Sequence, residues 1–221
     1  METMLNEVEA RVLGALIEKE ITTPDYYPLT LNGLTTACNQ KSNRFPVVAF
    51  DEKTVLRAHE TLRDKGLART VSGADMRVPK YYHLVVEKFE LTTSQLAALC
   101  VLILRGPQTT GEIRGRSSRL HEFADLGEVE QTLRELGERG AGALVVQFER
   151  QPGRKEARYA HLLCGAAEPA THEEGEAAVE PVALELRAEN ERIVALEEEL
   201  AVLRDELAAL RKAFEDFKSQ F

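Results

Sequence analysis

Two stretches of this chain repeat one another, and an internal repeat constrains a fold more than any single motif, because both copies must obey the same local rules. LNEVEARVLGALIEKE from Leu5 aligns with LTTSQLAALCVLILRG from Leu91 at an offset of 86. Apolar residues recur at helical spacing in each, Val12, Leu13, Leu16 and Ile17 against Ala98, Leu99, Leu102 and Ile103. Each stretch also opens with a capping box, Asn6 with Glu9 and Thr92 with Gln95, in which side chains satisfy the free N–H groups of a first helical turn. A second, shorter helix is predicted in TLNGLTTACN and TTGEIRGRSS, beginning on Thr30 and Thr109, with Leu34 matched to Ile113 at an offset of 79. A third aligns DEKTVLRAHETLRDKG with DLGEVEQTLRELGERG at an offset of 74. There Asp51 and Asp125 are the expected N-caps and Gly66 and Gly140 the expected left-handed stops. Val55 and Leu62 match Val129 and Leu136 on the apolar face.

Beyond each stop, a strand-like run, a polar tip and a second strand-like run read as a β-hairpin, ARTVSGADMRVPKYYHLVV and ALVVQFERQPGRKEARYAHLLC. Three helices and a hairpin form the winged helix-turn-helix plan, here expected twice. The predicted fold class is α+β, mainly helical, with tandem winged-helix domains at 1–88 and 89–164. The shrinking offset puts 12 extra residues in the first copy, about seven near ITTPDYYP and five near NQKSNRFPV. Both insertions fall between helices, where added length is tolerated.

Residues 165–181, GAAEPATHEEGEAAVEP, have the composition of a flexible linker. From 182 to 221 a heptad runs through Leu186, Ile193, Leu200, Leu207 and Phe214, with Leu196, Leu203, Leu210 and Phe217 in the second register and Glu189 interrupting it. In a parallel pair the flanking charges would match Arg192 with Glu197, Glu199 with Arg204 and Glu206 with Arg211. A parallel coiled-coil dimer is therefore expected. The alternative is a single amphipathic helix folded back on its own domains.

Charge narrows the partner classes. Residues 166–221 hold 6 of the 28 Lys and Arg but 15 of the 37 Asp and Glu, so the net charge of −9 resides in the tail and residues 1–165 are balanced. That is unlike the strongly basic footprint of a non-specific DNA coat. In a winged helix the third helix enters the major groove and the wing reaches phosphate or minor groove. The first copy offers Lys53 and Arg57 on the outer face of that helix, alongside Glu60 and Asp64. Lys41, Asn43 and Arg44 stand in the adjacent NQKSNR, and Arg69, Arg77 and Lys80 in the wing. These eight are the candidate nucleic-acid contacts. In the second copy the third helix carries Glu128, Glu130, Glu135 and Glu138 against Arg134 and Arg139, a net charge that repels phosphate. Its other cations, Arg114, Arg116, Arg119, Arg150, Arg154, Lys155 and Arg158, serve either phosphates or, equally, neighbouring acids.

Catalytic classes find little support. Cys38, Cys100 and Cys164 are odd in number and far apart, which reads as reduced thiols, and no metal or cofactor is expected. Of five histidines, His59 aligns with Leu133 on a buried face, while His83 and His161 hold matching strand positions, so repetition suggests architecture. No phosphate loop, nucleophile elbow or metalloprotease motif is present, and no enzyme is predicted. No apolar run approaches a membrane span and the first residues are acidic, so a cytoplasmic location is expected.

The strings LTLNGLTTACNQKSNR, RVPKYYHL, RLHEFADL and EARYAHLL, spread over about residues 4–164, closely resemble the bacterial YceH-like family. That family often carries an acidic residue after NQKSNR where this chain has Phe45. The resemblance implies tandem winged helices and no established activity, cofactor or target. Two readings follow for function. One is a dimeric regulator binding duplex DNA through its first domain; the other is a protein-docking module that uses the second domain and the coil without DNA.

Overall fold

A computed structural model of the chain describes residues 4–73, 78–149 and 156–165, all within one compact unit. The predicted linker beyond Gly165, the heptad segment and Arg77 lie outside the described residues. Among the described residues the fold is α+β, about half helical, with two small antiparallel sheets.

The first half runs α1 (Glu7–Thr22), a 3-10 turn (Pro24–Tyr26), α2 (Leu31–Cys38), α3 (Glu52–Asp64), β1 (Ala68–Val71) and β2 (Lys80–His83). The short α4 (Val85–Phe89) then leads into α5 (Thr93–Arg105), α6 (Thr110–Arg116), α7 (Leu126–Gly137), β3 (Val145–Gln147) and β4 (Tyr159–His161). The order helix, helix, helix, hairpin therefore occurs twice. Both foreseen capping boxes form, Asn6 with Glu9 and Thr92 with Gln95, and Thr109 with Glu112 makes a third. Asp51 and Asp125 cap α3 and α7 through the N–H groups of Thr54 and Glu128. The extra length of the first half falls between α1 and α2 and between α2 and α3, as the offsets require.

One expected stop is misplaced. Gly66 does end its helix in the left-handed region, at φ 68°, but Gly140 does not; α7 finishes at Gly137, and the left-handed glycine in that loop is Gly142, at φ 112°. The reason is local: α7 is capped at Glu138, and the turn that follows is closed by the Gly142 N–H on the Arg139 carbonyl at 3.1 Å, which places Gly142 at the left-handed position.

Each hairpin also acquires a partner that alternation could not reveal. Leu29 exchanges backbone hydrogen bonds with Tyr81 (3.1 and 2.8 Å), and Gln108 does the same with Tyr159 (2.9 and 2.7 Å). Both residues immediately precede the threonine that caps the second helix of their half, so the repeat extends to pairing that links helix to hairpin.

The two first helices are buried on nearly all sides, over Glu9–Glu18 in α1 and Gln95–Leu104 in α5, because they pack on each other as well as on their own halves. This explains why LGALI and AALCVLIL are apolar beyond one face. They meet at Gly14, whose carbonyl lies 3.7 Å from Cys100 Sγ. Gly14 and Cys100 hold the same position in the repeat, so the two first helices touch at equivalent residues. A Cβ on Gly14 would come within 2.7 Å of Leu104 Cδ2. Absence of a side chain lets the halves approach.

Candidate nucleic-acid interface

The outer surface of the first half is built on α3. Its hydrophobic spacing turns Val55, Ala58, His59 and Leu62 inward, where all four are buried. Lys53, Arg57, Glu60 and Asp64 are left exposed on the opposite face. Neither Lys53 nor Arg57 makes an ion pair among the described residues. His59, wholly buried, stands edge-on to Tyr81 with ring centroids 4.7 Å apart, joining α3 to its hairpin. Burial pushes its pKa down to about 4, so it is a neutral core ring near neutral pH. In the hairpin, Arg69 is exposed opposite Tyr82, and Lys80 is half-buried at the start of β2.

The segment NQKSNR behaves differently from its sequence appearance. Arg44 is buried, not available to a phosphate. Its guanidinium grips Glu18 through both oxygens (2.6 and 3.0 Å), donates to the Ala37 carbonyl (2.9 and 3.2 Å), and reaches Gln40 Oε1 at 3.1 Å. With its side chain at 0 % exposure every donor is occupied, because an unpaired guanidinium there would be prohibitive. Asn43 is exposed but accepts a hydrogen bond from Arg105 of α5, in a left-handed conformation at φ 59° that asparagine tolerates. The Phe45 N–H donates to the Leu104 carbonyl at 2.8 Å. Asn39 clasps the loop's far end through the backbone of Phe50, at 2.8 Å in both directions. Much of the loop is therefore a fastening to the second half, with Lys41 left facing solvent.

Sequence reasoning also passed over Arg11, which is buried and donates to the carbonyls of Cys38 (3.2 Å) and Pro46 (2.6 Å). A signal existed: Arg11 and Glu18 stand seven apart, hence on one face, at the two ends of the otherwise uncharged stretch VLGALI.

In the second half the third helix is as expected from its charges. Glu130, Arg134 and Glu135 are exposed on α7, and Glu128 is held low in pKa by the Ala124 N–H and by His121. The arginines around it brace their own half. Arg114 donates to the carbonyls of Phe123 (3.3 Å) and Ala124 (2.7 Å), while Arg116 reaches Gln108. Arg158 donates to the Pro107 carbonyl (2.9 Å) and pairs with Glu112 at 3.0 Å. Arg119 remains exposed, with no ion pair among the described residues.

Residues 5–154 match the family described as "Protein of unknown function, DUF480". The chain belongs to this family. It is 58 % identical to the UPF0502 protein of Geobacter metallireducens over 221 residues, covering the whole of both chains. It is likewise 55 % identical to that of Geobacter sulfurreducens and 57 % identical to that of Geotalea daltonii, again over the full length of each. The DUF480 match spans α1 to β3, both candidate third helices included, and stops before the heptad segment, whereas these relatives align through it. No helix among the described residues is long and apolar enough to cross a membrane.

Proposed function

We propose that this DUF480 protein is a cytoplasmic winged-helix protein that binds duplex DNA through α3 of its first half, without enzymatic activity of its own. In this reading both halves are winged helices, and the heptad segment makes a parallel dimer that sets two copies of α3 over two related half-sites. The observation that carries it is the exposure of Lys53 and Arg57, together on the N-terminal half of α3, the part that enters the groove in this plan. Arg69, Lys80 and Lys41 are the supporting phosphate contacts, and Arg77 belongs with them. Arg44 has been withdrawn from that set by Glu18.

A second reading rests on α7. Its exposed Glu130 and Glu135 would repel phosphate, so this half is assigned to docking a protein, and a chain without DNA affinity would use both halves that way.

Binding of the full-length protein to random duplex DNA at two salt concentrations tests the choice. Phosphate contacts release counterions, so affinity should fall steeply with salt, and Lys53→Ala with Arg57→Ala should lower the logarithmic salt slope by about two. Absence of binding even at low salt would reject the DNA reading and leave the docking one.

A further inference from the structure

A cleft of about 290 Å³ opens at the junction of the two halves. It lies where α1 ends, the loop after α2 folds over, and α5 meets α6. We propose that it binds a small phosphate-bearing anion, a role independent of whether α3 reads DNA.

Four cations line the cleft, Lys19, Arg105, Arg116 and Arg119, drawn from both halves. The one carboxylate among the lining residues is Glu18, whose oxygens are both gripped by Arg44 and which Lys19 approaches at 3.9 Å. Nearby Glu112 accepts from the Thr109 N–H and from Arg158, and pairs with Arg116 at 3.6 Å, while Arg116 also donates to Gln108. Helix ends explain part of the charge. The C-termini of α1, α5 and α6 converge here, and each is equivalent to about half a negative charge, so together they offset fewer than two of the four cations.

The remaining imbalance is felt most by Arg105. Its guanidinium is half-buried and its hydrogen-bond partner is the neutral amide of Asn43. Burial and the nearby Arg116 and Arg44 hold it below the ordinary arginine pKa. A partly desolvated guanidinium facing other cations is relieved by an anion that accepts charge-assisted hydrogen bonds. Several guanidinium groups converging from different elements match the multiple oxygens of a phosphate better than the two of a carboxylate, and Ser42 and Ser118 add hydroxyl donors at the walls. The volume suits a small ligand. Because its walls come from both halves, occupancy would tie them together.

Pyrophosphate is a suitable probe, titrated calorimetrically into the full-length protein with ionic strength held constant by chloride. Saturable binding is expected. Arg119→Gln should weaken it about tenfold, the size of losing one strong ionic hydrogen bond, and since Arg119 makes no ion pair among the described residues the variant should melt like the parent. Arg105→Gln should weaken binding at least as much, and the α3 variant Lys53→Ala, Arg57→Ala should leave it unchanged. No saturable binding, or equal binding by the parent, Arg119→Gln and Arg105→Gln, overturns the proposal. So does competition by a short DNA duplex that depends on Arg105 and Arg119, which would make the cleft part of a DNA track.

Discussion

α3 and α7 occupy the same place in their halves: each follows an aspartate cap, buries a valine and a leucine seven apart, and leads into a two-stranded hairpin. Yet α3 presents Lys53 and Arg57 to solvent, whereas α7 has Gly127 and Gln131 at the matching positions and exposes Glu130 and Glu135 beside them. The connections that enter these helices differ in kind as well. The long loop before α3 is anchored by a buried ion pair, Arg44 with Glu18, and fastened to α5. The short one before α7 is held by Arg114, exposed, on two carbonyls. One plan thus serves two surfaces, because the buried residues that define the plan leave the outer face free to diverge.

The largest effect that would test this contrast comes from the loop anchors. Glu18→Ala strands a fully buried guanidinium and should destabilise the protein by roughly 3–5 kcal/mol in urea unfolding. Replacing Glu18 and Arg44 together by methionine should cost far less. Arg114→Ala, its counterpart in the second half, should cost about 1 kcal/mol. Similar losses for Glu18→Ala and Arg114→Ala would break the comparison.

The meeting of the halves is probed by Gly14→Ala, whose added Cβ presses on Leu104 and Ile103. A loss of about 1–3 kcal/mol is expected from overpacking. Equivalence of the two first helices makes a sharper demand. Asn6→Ala and Thr92→Ala each remove one capping box and should each cost about 1 kcal/mol. A marked difference between the two would show that α1 and α5 are not held alike.

The smallest effect is a slope. Burial pushes both His59, in the first half, and His161, in the second, down to about 4. Unfolding returns them to about 6.5, so between those values the unfolded chain binds more protons. Their contribution is therefore full above pH 6.5 and is lost as pH falls through the window toward 4. His59→Leu, which copies Leu133 of the second half, should flatten the dependence of unfolding free energy on pH by up to about one proton, and His161→Leu should do the same. An unchanged slope in either variant would assign the pH response to other groups.

Much of the architecture was legible in advance. The caps at Asn6, Asp51, Thr92 and Asp125 and the stop at Gly66 follow from residues within a turn or two of each other, and the sites of both insertions from the shrinking offset of the repeat. The outward face of α3 was legible for the same reason, since helical spacing alone separates Lys53 and Arg57 from Val55 and His59. The single-residue pairings at Leu29 and Gln108 were not, because one residue has no periodicity. Nor was Arg44, whose polar neighbours Asn43 and Lys41 suggested an exposed string.

Sequence alone thus determined the repeat, its helices with their caps, and which face of α3 and α7 turns outward, because those depend on contacts a few residues apart. Only the tertiary structure decided that α1 and α5 join the halves through Gly14, and that Arg44 serves Glu18. An ion pair between residues 26 apart and a glycine contact across 86 exist only once the chain has brought distant segments together. The free energy of burying a charge then depends wholly on the partner found there.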